Sequence, residues 1–437
     1  MTSHQKKWGI VGGGIMGMTL ALRLAQKGES VTLLESFSSL GGLAGPNQMG
    51  DIVWDRFYHV ILMSDTFTRN ILSEIGLEKE IRWVETKTGF YTGGKLYSMS
   101  NTLEFLKFPP LNIINKVRLG LTIFYASRIR NWRKLEKIFM EKWLLRWSGR
   151  KTYEKIWLPL LKAKLGDSYS ITSAAFIWAT IQRMYAARRS GLKKEMFGYV
   201  PGGYRRIIEK FEQKLKESGI KILLNKKVEK ITRNSSGKLD VRFINNRGLL
   251  FDKVVITIPS ADAVSICDEI SEDEKILHKN IQYLGVICPS ILLKNALSPY
   301  YVTNITDPGI SFTGIIEMSS LVDPSEFKGK HLLYLPKYVK PDDPYFEMTD
   351  EQIRKEFLGS LKKMYPEFNE NNIIFWGTSR TRKVFALSVL NYSKNLPPIK
   401  ATLPGLFILN SAQIVNGTLN VNETIQVAEK NLDLLLE

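Results

Sequence analysis

Gly12, Gly14 and Gly17 stand in the order Gly-x-Gly-x-x-Gly directly after the apolar run Trp8 to Val11, and Glu35 follows the run Val31-Thr-Leu-Leu. This spacing holds a dinucleotide: Gly12 makes a turn too tight for a side chain, Gly14 lets the backbone approach a pyrophosphate, and Gly17 lets a helix pack against the strand. A helix from Ile15 to Lys27 aims its positive end, at Ile15 and Met16, toward the phosphates. The Glu35 carboxylate accepts hydrogen bonds from ribose hydroxyls and disfavours a 2′-phosphate, which selects an adenosine cofactor without one.

Other groups carry charge rather than a motif. Arg188 and Arg189, with Arg183 and Tyr185 in Gln-Arg-Met-Tyr-Ala-Ala-Arg-Arg, could clamp a pyrophosphate or carboxylate, as could Arg380-Thr-Arg382-Lys383; the alternative is a basic surface. Cys267 and Cys288 each lie in an apolar run, which reads as buried thiols in a reducing compartment. No His, Cys and carboxylate grouping has metal-ligand spacing, so no metal site is expected.

The elements that must position these groups are legible in part. Phe90-Tyr-Thr-Gly-Gly-Lys-Leu-Tyr reads as a hairpin, Phe108-Pro-Pro stops any helix, and residues 111 to 185 read as mostly helical. A helix from Gly203 to Ser218 precedes a strand pair, 221 to 232 and 238 to 244. Further strands cover 282 to 293 and 329 to 338, and a helix runs from Thr349 to Met364. With 437 residues and 44% apolar content the chain can bury the cores of two domains.

A second glycine cluster, Leu40-Gly41-Gly42-Leu43-Ala44-Gly45, follows the acidic residue. It resembles the diglycine turn with which the flavin amine oxidase superfamily wraps FAD, a group including monoamine oxidases, protoporphyrinogen oxidases, phytoene-type desaturases and, more distantly, UDP-galactopyranose mutases. Asp55-Arg-Phe-Tyr-His59 is similar to the segment placed beside the flavin, with Phe57 in place of a usual glycine. Pro201-Gly-Gly-Tyr204, the strand to Val228, and Val254 to Pro259 resemble the returning strands, and Val228 would meet the adenine. Near the end, Asn410 and Ser411 match the last strand of the superfamily, and Val421, Asn422 and Thr424 lie in a turn and helix resembling the one under the flavin ring, where they would bind the flavin or form an ordinary helix cap. Leu43 stands where amine oxidases carry an arginine, and Ser411 where most members carry an aspartate.

The resemblance implies an α/β fold: a discontinuous Rossmann-type FAD-binding domain (residues 1–90, 200–260 and 400–437) with an inserted α+β substrate domain of mixed sheet and helices (90–200 and 260–400). It implies non-covalent FAD and gives His59 either a catalytic or a structural place beside the flavin. The lysine that amine oxidases bridge to the flavin is missing near Cys288, with Lys337 and Lys294 as alternatives, Lys337 being equally readable as a surface charge. This disfavours amine oxidation. The leading expectation is an oxidoreductase removing hydride from a hydrophobic or anionic small molecule; the rivals are a redox-neutral mutase acting on a sugar nucleotide and a non-catalytic flavin-stabilised scaffold. With a single glycine-rich motif no second dinucleotide site is expected, leaving oxygen, a quinone or another acceptor to reoxidise the flavin.

The net charge of +18 concentrates between Arg128 and Lys164, where twelve Lys or Arg face three Glu. Ile129, Trp132, Leu135, Phe139, Trp143 and Trp147 recur at three- and four-residue steps, one face of a helix over 127 to 148. That face either meets an anionic membrane surface or packs on the protein's own core. No apolar run approaches the ~20 residues of a spanning helix, no leader precedes the first strand, and no nucleic-acid motif accompanies the charge. A cytoplasmic protein is expected, peripheral on a membrane under the first of these readings.

Overall fold

The computed structural model describes residues 5–187, 196–244, 246–415 and 418–437. Strand Lys7–Val11, helix Ile15–Gln26 and strand Ser30–Leu34 make the first βαβ unit. They belong to a five-stranded sheet ordered Lys221–Leu223, Ser30–Leu34, Lys7–Val11, Lys253–Ile256, Leu406–Ile408, parallel throughout. Helices cover a parallel sheet and leave its strands apolar on both sides, and accordingly Ile10, Leu33, Val255 and Phe407 are all buried. Chain segments almost four hundred residues apart thus share one nucleotide-type sheet. The expected strand over 221–232 is two: Asn225 adopts a left-handed φ of 56° and diverts the chain, and Val228–Arg233 starts a separate antiparallel sheet with Leu239–Phe243 and Asn246–Phe251.

The second body is a mixed sheet around strand Tyr283–Leu293. One edge of this strand pairs with Ile373–Ala386; the other pairs with Lys337–Val339 and then His331–Tyr334. Every residue in it is buried, because its two faces serve different cores: Val286, Cys288 and Leu292 pack with Trp54 and Tyr334, whereas Ile287, Ile291 and Leu293 pack with Phe357. The hairpin Thr88–Thr92 and Lys95–Ser98 turns on Gly93 and Gly94, both at positive φ, and the two amides donate to the Asp307 carboxylate.

Helices Ile113–Arg128, Met140–Ser148 and Ala174–Ala187 enclose a third core holding Trp143, Leu144 and Ile177. The continuous helix expected over 127–148 is not formed: Ile129 and Ile138 are extended, with a short 3-10 turn at Trp132–Lys137 between them. Phe139 consequently lies 43% exposed. Trp147 stacks on Tyr125 at 4.0 Å, and the Trp157 indole donates to the Ser148 hydroxyl at 2.9 Å. The tryptophans of this segment serve the protein's own packing.

Candidate functional site

The two glycine turns form one cradle. Gly12 sits at φ 110°, a conformation open to glycine, and a Cβ on Gly17 would overlap the Gly12 carbonyl oxygen. Gly41 donates its N–H to the Gly13 carbonyl at 2.8 Å, and Gly14 forms a bridge with Gly41. Gly41 and Gly42 adopt φ of 111° and 57°, and a Cβ on Gly42 would stand 3.1 Å from the Gly14 Cα. The two turns meet in direct backbone contact and rim a groove of bare backbone beside the start of helix Ile15–Gln26, where the amides of Ile15 and Met16 lie. Leu43 leaves this turn to pack with Tyr58 and Cys288.

Glu35 lies at the sheet's edge of the groove. Its Oε2 accepts from the Gly13 N–H at 2.7 Å and its Oε1 from the Phe37 N–H at 2.9 Å and the Ser36 hydroxyl. The carboxylate is therefore fixed in place while keeping acceptor capacity. Val228 packs with Val11 and Leu34, the ends of the two strands that flank the groove. These features fit an adenine dinucleotide, and a Cβ on Gly12 or Gly17 would collide with the Thr257 hydroxyl or the Gly12 carbonyl oxygen.

At the far end of the cradle, separated segments meet. Asp55, 2% exposed, accepts the Tyr204 N–H at 2.8 Å, and its backbone carbonyl accepts the Tyr334 hydroxyl. Gly203, at φ 66°, brings the chain this close. Burial pushes the Asp55 carboxyl up to about 8 and pulls the His59 imidazole down to about 4. Both groups are neutral near pH 7. Asp55 Oδ2 and His59 Nδ1 lie 3.9 Å apart, too far for a direct hydrogen bond. Neither His59 Nδ1 nor Trp54 Nε1 has a partner among the described residues, and both residues line a cavity of about 10 Å³. His59 keeps 18% of its side-chain surface exposed.

Beside this group the hydroxyls of Tyr58 and Tyr338 share a hydrogen bond of 2.7 Å, and burial holds the Tyr58 phenol far above its ordinary range. Lys164 places its Nζ 3.4 Å from the Tyr338 ring centroid. Cys288 occupies the Tyr58 side of its strand, its thiol pushed up by burial. Strand alternation sends Lys337 the other way, where its Nζ donates to the Ser311 carbonyl at 2.8 Å and borders a separate cavity of about 530 Å³. Lys337, offered by the sequence as an alternative to the missing lysine, thus lies on the opposite face of the sheet from Cys288. Lys294 lies at the end of the strand, its N–H bonded to the Asn372 carbonyl.

The C-terminal residues divide. Asn420 caps helix Val421–Lys430 by accepting the Glu423 N–H, and the Thr424 hydroxyl returns to the Asn420 carbonyl. The Asn422 Oδ1 instead accepts the N–H groups of Phe67 and Thr68, joining this helix to the one at Thr66–Glu74. Asn410, buried, satisfies itself against Ile258, Ser260 and Ala412, while the Ser411 hydroxyl makes no hydrogen bond among the described residues. Among the expected anion-binding arginines, Arg188 and Arg189 lie outside the described residues. Arg183 is already engaged, bidentate on Asp65 at 3.0 and 3.1 Å, and Arg380, Arg382 and Lys383 pair with Asp350, Glu347 and Asp262. The Tyr58–Tyr338 and Arg183–Asp65 partnerships escaped the sequence reading because no local pattern joins residues so far apart; Tyr204 and Arg183 were noted without these partners, and Asp55 and His59 were found through their segment's resemblance to the one beside the flavin. Among the described residues no group of acidic, His and Cys side chains could hold a metal, and no helix is long and apolar enough to cross a membrane.

Comparison with known proteins gives this architecture relatives. The zeta-carotene desaturase of Synechocystis is 23% identical over 434 residues, 84% of each chain. A protein of Exiguobacterium provisionally described as a protoporphyrinogen oxidase superposes with a TM-score of 0.76 at 18% identity, covering 100% of this chain and 99% of its own. A reduced UDP-galactopyranose mutase superposes at 0.75 with 14% identity, covering 99% and 94%. The model of the flavin containing amine oxidoreductases matches residues 15–411. The chain therefore belongs to the flavin containing amine oxidoreductase family and is an FAD-dependent oxidoreductase.

Proposed function

We propose that this protein removes the elements of hydrogen from a lipophilic small molecule, in the manner its similarity to a desaturase suggests, and does not oxidise primary amines. The observation that carries this reading is the Cys288 position: the strand offers a buried thiol and an apolar wall, with Tyr58, Tyr334 and Tyr338 beside it.

When bound, FAD would supply the two-electron acceptor for a dehydrogenation. Gly12, Gly14, Gly17, Gly41 and Gly42 would hold the pyrophosphate by backbone, Glu35 the ribose, and the amide end of helix Val421–Lys430 the ring. The chain's further contribution is exclusion and neutrality. Asp55 retains its proton near pH 7 and His59 stays uncharged, so neither places a fixed charge against an apolar substrate. The Tyr58–Tyr338 pair closes the cluster against water, and Lys164 beside it offers a counter-charge to a carboxylate-bearing substrate.

Anaerobic titration followed at the flavin absorbance tests the reading. A polyene or other lipophilic reductant should bleach the bound flavin, and primary amines should not. Rapid bleaching by an amine would sink it, as would turnover of a UDP-sugar that requires prior reduction by dithionite.

A further inference from the structure

Helix Ile113–Arg128 packs only half of itself. Leu119, Thr122 and Ala126 face the protein's interior, and the Gln182 amide holds the helix end by donating to the Ala126 carbonyl. At 100° per residue, Ile113, Ile114, Val117, Leu121 and Phe124 fall within an arc of about 100° on the other side, and there they are 59%, 72%, 54%, 61% and 49% exposed. Leu103, on the preceding helix Thr102–Lys107 that packs against this one, is exposed as well, at 71%. Scattered apolar side chains on a surface are ordinary, but a contiguous stripe three turns long marks a surface made for contact.

The rim selects the partner. From Lys95 to Leu135 the chain holds eight Lys or Arg and one carboxylate, Glu104, which is already bonded to Ser98 and Ser100. Arg128, Arg130, Arg133 and Lys134 are exposed, and none has a carboxylate at ion-pairing distance among the described residues. A second copy docking by two-fold symmetry would set this rim against itself. An anionic lipid surface complements it, accepting the apolar stripe below the headgroups and the cations among them.

We propose that helix Ile113–Arg128 seats the protein peripherally on a bilayer carrying anionic headgroups, with Leu103, Ile114, Leu121 and Phe124 inserted and the following basic segment at the headgroup level. The docking surface lies one helix before the tryptophan-rich segment, whose indoles are turned inward. This inference rests on surface chemistry and is independent of the proposed reaction. Through Gln182, the seated helix also touches the helix that carries Arg183 to Asp65.

Co-sedimentation of the FAD-loaded full chain with phosphatidylcholine vesicles, with and without phosphatidylglycerol, tests the proposal. The wild type should sediment with the anionic vesicles at low salt and be released as salt rises. The exposed variant Ile114→Ser, Leu121→Ser, Phe124→Ser should lose at least tenfold in partitioning, and Arg130→Glu, Arg133→Glu, Lys134→Glu on the order of a hundredfold on anionic vesicles, both keeping wild-type flavin content as proof of folding. Failure of the wild type to bind anionic vesicles overturns the proposal. So does binding that the serine variant leaves unchanged, or a concentration-dependent dimer in light scattering that this variant abolishes.

Discussion

The two ends of the cofactor site are built from different materials. The nucleotide end is backbone: Gly12, Gly14, Gly17, Gly41 and Gly42 act by lacking side chains, and the two turns are joined by the hydrogen bond from the Gly41 N–H to the Gly13 carbonyl. The reacting end is side chain: Asp55, His59, Tyr58, Tyr204, Tyr334 and Tyr338 arrive from four segments, and burial sets the protonation of Asp55, His59 and Tyr58. A backbone site fails when an atom is added to it. A side-chain site fails when one partner is taken away.

The largest effect should therefore come from the smallest addition at the nucleotide end. Gly17→Val, whose Cβ collides with the Gly12 carbonyl oxygen, should reduce bound flavin to an undetectable level, as should Gly14→Asp, which adds a negative charge to the pyrophosphate path. Absorbance of the purified variants and heat release of the chromophore read this directly. A yellow Gly17→Val protein would show that the cradle tolerates atoms and erase the contrast.

At the reacting end the largest loss should follow Arg183→Ala. Asp65 is left buried beside Glu423 with its guanidinium partner gone, which should cost about 3–5 kcal/mol in denaturant unfolding. Combining Arg183→Ala with Asp65→Asn should recover part of that loss; no recovery would mean the pair is not the cause.

The pH dependence is next in size. Because the Asp55 carboxyl is raised to about 8, the stability it contributes is full below the ordinary value near 3.8 and is lost as pH rises through 8. Asp55→Asn should thus become progressively more stable relative to wild type from pH 5 to about 8, with a slope approaching about 1.4 kcal/mol per pH unit, and the difference should level off above that. His59, lowered to about 4, works in the opposite sense: its contribution is full above 6.5 and is lost as pH falls toward 4, and His59→Gln should remove that acid limb. Flat wild-type-to-variant differences across both ranges would remove burial as the cause of neutrality. Smallest of all, Trp157→Phe should cost about 1 kcal/mol, the hydrogen bond to Ser148, and leave flavin content intact.

The same division governs what could be read from the chain. Gly12 to Glu35 is legible because its constraints are local: a turn, a helix start and a strand tip lie within twenty-five residues. Thr349 is legible as a helix start for the same reason, and it caps Asp350–Met364 in a capping box with Gln352. The helix expected over 127–148 failed because apolar recurrence at three and four residues describes which side chains go inward, not whether the backbone between them stays helical. The side on which Lys337 lies was not legible because a strand's two faces serve different cores, and which neighbour lies on each face is settled by residues such as Cys288 and Ser311 elsewhere in the chain. The Tyr58–Tyr338 bond spans 280 residues, and no spacing rule reaches that far.

The five-stranded parallel sheet has a consequence for how the molecule comes into being. Its central strand, Lys7–Val11, is made first and its edge strand, Leu406–Ile408, near the end. At the ~5–20 residues per second of translation, the glycine turn leaves the ribosome about 20–80 s before the last strand can dock. During that interval Ile10 and Leu33 have no complete sheet to bury them, and the growing chain offers chaperones an apolar surface. Whether the cofactor joins this early half-sheet or waits for residue 408 decides how much of the nascent protein reaches its native form.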